Sequence, residues 1–364
     1  MKKVVFFSVN MHIGGMEKAL VDLLNELAKR GYAVTLVLEQ KEGELLAELD
    51  KKIYIEEYRV QKNGNPLIRK CRNFIHRKYW ELKNRNKYDF SCAYATYSVI
   101  GTRLALAASA NSSLYVHSNY YDVYRGNCEE IRRFFDTLFL GKFKNVIFVS
   151  NESRSKLQKV YGFLEKKGTV INNLIDVSRI ISLSEEKMDL VMDGSRNFLF
   201  VGRLEEESKR LSRLIESFAI AGRIDGSLRL YIIGDGKDHE LCSNMIHKEH
   251  MENIVRMLGK KENPYPYIKN ADCVLLTSDY EGYPVTYNEC LILKTPLIAT
   301  VPVSDGFVDI RDYARIVDKD ADAIADAILN TDLTEYGKND LDFDEINLKK
   351  IQRVEKIING VQEE

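Results

Sequence analysis

Two α/β domains, each built on a mostly parallel sheet and facing one another across a cleft, are predicted by three features of this sequence. The chain has 364 residues, more than one hydrophobic core usually organises. Short β-branched and apolar runs alternate with amphipathic stretches from end to end, the pattern of repeated βα units. That alternation occurs twice, on either side of a polar, acidic stretch at 181–195 whose composition suits a connection better than a buried element.

In the first half, strands are expected at 4–9, 33–38, 53–58, 89–95, 112–118, 145–150 and 168–172. In the second half they are expected at 198–203, 228–234, 254–258, 273–277, 296–301 and 314–317. These place a Rossmann-like domain at 1–180, a linker at 181–195, a second Rossmann-like domain at 196–344 and a terminal helix at 345–364. Ile346, Ile351, Val354, Ile357, Ile358 and Val361 share one face of that last helix, which must therefore pack on something and is expected near the domain junction.

Composition narrows the function. Lys and Arg number 53 against 54 Asp and Glu, a net charge of -1, so no global field draws the chain to nucleic acid. The six cysteines have no C-x-x-C spacing, and neither they nor the histidines form a metal-binding pattern. They read as reduced thiols of a cytoplasmic protein. The first apolar run, Val4 to Val9, is too short for a signal peptide core, and no stretch reaches the ~20 apolar residues of a membrane span.

The second half carries the more informative residues. The strand ending at Val201 runs into Gly202-Arg203-Leu204, with Lys209 soon after. Two cations at the carboxyl end of a strand suit a diphosphate, because ligands of open α/β sheets bind at that edge. A solvated surface pair would look the same. The strand at 273–277 leads through Glu281-Gly282-Tyr283-Pro284-Val285-Thr286-Tyr287 into an apolar helix containing Glu289. Pro284 suits a first helical turn, leaving the amides of Val285, Thr286 and Tyr287 free to meet phosphate. Glu281 would then sit by a sugar and Glu289 could bind a ribose diol. A helix cap and a solvent-facing glutamate are the plainer alternatives.

Gly202-Arg203-Leu204, Lys209, Ile233-Gly234-Asp235-Gly236 and the pair Glu281 and Glu289 occur in this order across the second half. The set resembles the retaining glycosyltransferases of family 4. That resemblance implies a GT-B fold, with donor bound mainly by the second domain and acceptor mainly by the first. It assigns Arg203 and Lys209 to the diphosphate, Glu281 to the transferred sugar and Glu289 to the ribose. Gly234, Leu258, Gly259, Gly282, Tyr283, Pro284, Val285 and Thr286 complete the implied donor site, with Leu258 and Gly259 against the base. Two departures stand out: the interval from Arg203 to Lys209 is one residue longer than the commonest spacing, and Arg210 stands where glycine is frequent.

In the first domain, Gly14-Gly15 opens a helix through Leu20, Leu23, Leu24 and Leu27, without the G-x-G-x-x-G order of a dinucleotide site. The resemblance implies that this pair lets backbone approach donor phosphate and acceptor, and that His117, at the end of Leu114-Tyr115-Val116, lies beside the donor sugar. An isolated histidine at a strand end is otherwise a structural residue.

The segment 62–87 holds nine Lys or Arg (62, 69, 70, 72, 77, 78, 83, 85 and 87) against Glu81 alone, interleaved with aromatic and aliphatic residues. Arg69, Lys70, Arg72, Arg77, Lys78 and Trp80 are candidates for an acceptor or membrane surface. A solvated helix packed on its own sheet is the other reading.

The combined expectation is a retaining glycosyltransferase that needs no metal or other cofactor. Its donor would be a nucleotide diphosphate sugar, uridine ahead of guanosine, and its acceptor a glycan or lipid-linked molecule. The setting would be bacterial surface-polysaccharide synthesis (capsule, O-antigen or teichoic type) at the inner face of the cytoplasmic membrane. The rival is a non-catalytic nucleotide-sugar-binding subunit, which would not need Glu281 or His117. An oxidoreductase is disfavoured by the missing glycine fingerprint.

Overall fold

A computed structural model describes residues 1–61 and 63–361. The chain forms two compact units, Met1–Ile175 with Ile346–Glu364, and Asp176–Glu345.

The first unit contains β1 (Lys3–Ser8), β2 (Ala33–Leu38), β3 (Tyr54–Glu57), β4 (Phe90–Ala93), β5 (Ser112–Val116), β6 (Asn145–Phe148) and β7 (Gly168–Val170). They pair in the order β3-β2-β1-β4-β5-β6-β7. The second contains β8 (Asn197–Val201), β9 (Arg229–Ile233), β10 (Val255–Gly259), β11 (Cys273–Leu276), β12 (Leu297–Ala299) and β13 (Arg315–Ile316), in the order β10-β9-β8-β11-β12-β13. Every pairing within the two sheets is parallel. The order reverses between β1 and β4 and again between β8 and β11. Such switch points open a crevice at the carboxyl ends of the strands, where doubly wound sheets bind ligands.

The central strands are buried on both faces, as parallel strands covered by helices must be; Val4 to Phe7 and Phe198 to Phe200 are at most 1% exposed. Helix α1 (Gly15–Lys29) buries Leu20, Leu23, Leu24 and Leu27, the stripe read from their spacing. Residues 177–184, expected to straddle the first domain and the linker, instead form the helix Val177–Ser184, capped by the Asp176 carboxylate on the Arg179 amide.

The last helix, Phe343–Ile358, buries Ile346, Ile351, Val354, Ile357 and Ile358. From Ile346 onward it belongs to the first unit. Asn347 exchanges hydrogen bonds with the backbone of Ile175 at 2.7 and 3.2 Å, and Asn111 donates to the carbonyls of Ile357 and Ile358. Val361 departs from the expected face: it lies beyond the helix and is 55% exposed. Gly360, at φ 76°, reverses the chain while the Val361 amide bonds the Lys356 carbonyl, a left-handed C-terminal cap.

Candidate active site

The edge of the second sheet is shaped by glycines. Gly202 donates to the Ile233 carbonyl and Gly234 to the Gly259 carbonyl, both at 3.0 Å. Gly234 has φ 150°, and a Cβ there would lie 1.8 Å from the Gly202 carbonyl oxygen. Only glycine lets these backbones approach so closely at the switch point.

Lys209 ends the single helical turn Glu206–Lys209, and its Cε lies 3.7 Å from where a Cβ on Gly202 would be. Its Nζ lies 2.5 Å from Oε1 of Glu281, and Oγ of Ser278 donates to the same oxygen at 2.6 Å. The side chains of Lys209 and Glu281 are 17% and 12% exposed. Glu281 is therefore bound by an ammonium and a hydroxyl and does not cap the following helix. The two cations expected to act together are placed differently: Arg203 is 74% exposed, with Glu205 3.8 Å away.

The loop carrying Glu281 is clamped by residues that motif reading did not single out. Arg213 donates to Oδ1 of Asp279 at 2.7 Å and to the Thr277 carbonyl at 2.8 Å, while the Thr277 hydroxyl donates to the Lys209 carbonyl at 3.1 Å. The Asp279 amide bonds the Ser208 carbonyl. Arg210 adds an ion pair to Asp279 at 3.3 Å while sitting at φ 52°, ψ 60°. This left-handed conformation explains why glycine is expected at that position. Ser278 had a local signal, standing three residues before Glu281. Arg213 had none, since its partners are about 65 residues away.

Pro284 is the N-cap of the helix Val285–Leu293 rather than its first residue. The Tyr287 amide, expected free, donates to the Pro284 carbonyl at 3.1 Å. That leaves Val285 and Thr286 as the first two helical amides, the ones aimed at an anion by helix geometry. Tyr287 anchors the helix through its hydroxyl on the Val301 carbonyl. Gly282, Tyr283 and Pro284 are buried beside it, and Glu289 is buried at 5% exposure rather than facing solvent. A register shift between Met257 and Gly259 carries Leu258 out of the ladder, and Gly259 turns the chain at φ 68°.

In the first unit, Gly14 is the extended N-cap of α1 and Gly15 its first residue. His117 follows β5 at the neighbouring edge, with its ring stacked 4.6 Å from Tyr115 and tilted 4.4 Å from Tyr94. One ring nitrogen donates to the Tyr94 backbone carbonyl, and burial pushes the pKa down to about 3. Although the residue as a whole is only half-buried, its Nε2 is covered and has no hydrogen-bond partner among the described residues. The ring is thus neutral at physiological pH, with Nε2 a lone-pair acceptor suited to a hydroxyl donor.

The basic segment forms α2 (Pro66–Asn84), begun by the Asn65 side chain on the amides of Leu67 and Ile68. Lys70, Arg72 and Lys78 are exposed, whereas Arg69 and Arg77 are half-buried. Glu81 binds both Arg77 and Lys78. Trp80 corrects the expectation of a surface residue. It is 5% exposed, packs on the edge of Phe7 and Tyr58, and donates to Glu56 at 2.8 Å, because its large ring fills the space between helix and sheet. Lys62 lies outside the described residues.

Among the described residues, no three His, Cys, Asp or Glu side chains gather as metal ligands, and no helix is long and apolar enough to cross a membrane.

Residues 13–179 match the model of Glycosyltransferase Family 4, and residues 185–338 that of Glycosyl transferases group 1. The chain belongs to these glycosyltransferases. It is 33% identical over 137 residues to a lipopolysaccharide 1,6-galactosyltransferase of Salmonella typhimurium, covering 36% of each chain. It is 22% identical over 312 residues to the Campylobacter jejuni N-acetylgalactosamine-N,N'-diacetylbacillosaminyl-diphospho-undecaprenol 4-alpha-N-acetylgalactosaminyltransferase, covering 82% of this chain and 81% of that one. The matched part spans about two-fifths or less of the first curated relatives it resembles. The glycosyltransferase superposes on Anabaena HepE, crystallised with UDP and glucose, with a TM-score of 0.77 at 17% identity, covering 99% of this chain and 100% of that one. That likeness establishes the GT-B fold.

Proposed function

We propose that this glycosyltransferase moves a sugar from a nucleotide diphosphate donor, uridine ahead of guanosine, to a glycan or lipid-linked acceptor, with retention of anomeric configuration and without a metal ion. The observation that carries the reading is the Lys209–Glu281–Ser278 cluster, in which Glu281 stands four residues before the helix that begins at Val285. An ammonium following β8 and the two leading amides of the helix following β11 would together stabilise a departing pyrophosphate at this sheet edge. Arg203, exposed beside Glu205, would close on the same anion.

In the transfer, the bond from the anomeric carbon to the leaving phosphate oxygen breaks as a bond to the acceptor hydroxyl oxygen forms on the same face. The hydroxyl proton passes to the leaving phosphate. Glu281 would hold the transferred sugar and Glu289 the ribose. With a pKa near 3, His117 would orient a sugar hydroxyl through Nε2 and not act as a base. The names of the Salmonella and Campylobacter relatives support a surface-glycan or polyprenyl-linked acceptor, and with it a place at the cytoplasmic side of the membrane.

The deciding experiment incubates the protein with uridine and guanosine diphosphate sugars in excess chelator and determines donor cleavage and product configuration by NMR. Turnover of a uridine donor with retention supports the proposal. Binding without turnover on any acceptor would instead favour the non-catalytic subunit, and activity abolished by chelator would remove the metal-free mechanism.

A further inference from the structure

Helix α2 is amphipathic in the reverse of the usual sense. Its inner side presents Trp80, Asn84 and Asn73, with Asn73 exchanging hydrogen bonds with the Gln61 backbone. Its outer side carries Ile68, Cys71, Ile75, Tyr79 and Leu82, a run spaced three and four residues apart that defines one stripe of an α-helix. Ile68, Ile75, Tyr79 and Leu82 are 55%, 60%, 64% and 71% exposed, and Leu67 and Phe74 at the margins 78% and 52%. A contiguous exposed apolar stripe of this kind marks an interaction surface. At 100° per residue, Arg72 and Lys83 line one edge of it and Lys78, which also pairs with Glu81, lines the other.

We propose that the outer face of α2 lies flat on an anionic lipid bilayer, with Ile68, Ile75, Tyr79 and Leu82 entering the boundary between headgroups and acyl chains. Arg72 and Lys83 on one margin and Lys78 on the other would bind lipid phosphates. Charge complementarity selects the occupant. A second copy of the chain paired on this face would set cationic margins against each other, since a two-fold interface places the same patch on both sides. An anionic bilayer offers apolar depth under the stripe and negative charge on both sides of it, the environment of an interfacial helix. The inference goes beyond the transfer reading and does not depend on the donor site.

Cys71 provides the test, because it is exposed in the centre of the stripe while Cys92, Cys242, Cys273 and Cys290 are buried. The half-buried Cys128 is replaced by serine, and Cys71 of the full chain is labelled with an environment-sensitive fluorophore. Vesicles of mixed phosphatidylglycerol and phosphatidylcholine should shift the emission to the blue and co-sediment the protein. Pure phosphatidylcholine should do so at least about tenfold less well, and added salt should weaken binding, because surface charges are screened within about 10 Å at moderate ionic strength. Ile75→Asp with Leu82→Asp in the unlabelled chain should lower vesicle partitioning about tenfold or more, while uridine diphosphate titration without lipid stays unchanged. The proposal is overturned by absent vesicle binding, by vesicle binding that leaves the Cys71 label in water, or by a blue shift that depends on protein concentration alone.

Discussion

The Lys209 ammonium and the Glu281 carboxylate form a 2.5 Å ion pair that the Ser278 hydroxyl completes at 2.6 Å. The cation suited to the donor diphosphate is thus already engaged by the carboxylate suited to the sugar.

Separating these roles predicts different signatures for the two variants. Glu281→Gln frees Lys209 from its counter-charge, so uridine diphosphate affinity should hold or rise while turnover falls by about a hundredfold or more. Lys209→Ala should lower both, and the double variant should lose less than the sum, as contacting pairs do. Calorimetry with uridine diphosphate and initial rates on the preferred donor provide the check; weaker nucleotide binding in Glu281→Gln would contradict the scheme.

Arg210 at φ 52° carries backbone strain that glycine would relieve. Arg210→Gly and Arg210→Ala both remove the ion pairs to Asp279 and Glu206, so the difference between them isolates the backbone. The glycine variant should be the more stable by about 1 kcal/mol. Equal unfolding midpoints in denaturant would show that the position is unstrained.

The depressed pKa of His117 sets an acid dependence. The folded group titrates near 3 and the unfolded one near the ordinary value of 6.5. Between those values the unfolded chain binds more protons, so stability rises with pH there and is level above the unfolded pKa. Since the residue is half-buried, the loss from about pH 7 to about pH 5 should be about 1–2 kcal/mol. Denaturant unfolding of His117→Asn should lack that part of the loss, and parallel pH curves for the two proteins would exclude it.

At Gly234, a methyl group would overlap the Gly202 carbonyl oxygen at 1.8 Å. Gly234→Ala should cost about 2 kcal/mol or more and weaken nucleotide binding with it, because the strand edge must separate. Gly162→Ala is the control, as a Cβ there meets nothing within 4 Å. Matching melting temperatures for the two variants would refute the close-approach argument.

Much of this architecture was legible in advance for a local reason. Each of the thirteen strands among the described residues overlaps a run read as a strand, and the signal is most continuous in the central strands, whose two faces are both buried. Lys209, Glu281 and Gly234 could be picked out because they stand at strand ends, which sequence order alone identifies. The clamp by Arg213 on Thr277 and Asp279 was not legible, because nothing near Arg213 indicates partners about 65 residues away.

From its own pattern, then, the sequence determined the kind and order of elements, the doubling of the α/β unit and the chemistry available at each strand end. Tertiary structure alone decided which of two neighbouring cations is anchored, holding Lys209 on Glu281 and leaving Arg203 exposed beside Glu205. It also decided which side of α2 faces in. The apolar stripe of that helix points outward, and its orientation is settled by the fit of Trp80 against Phe7 and Tyr58, contacts made only once distant strands have assembled.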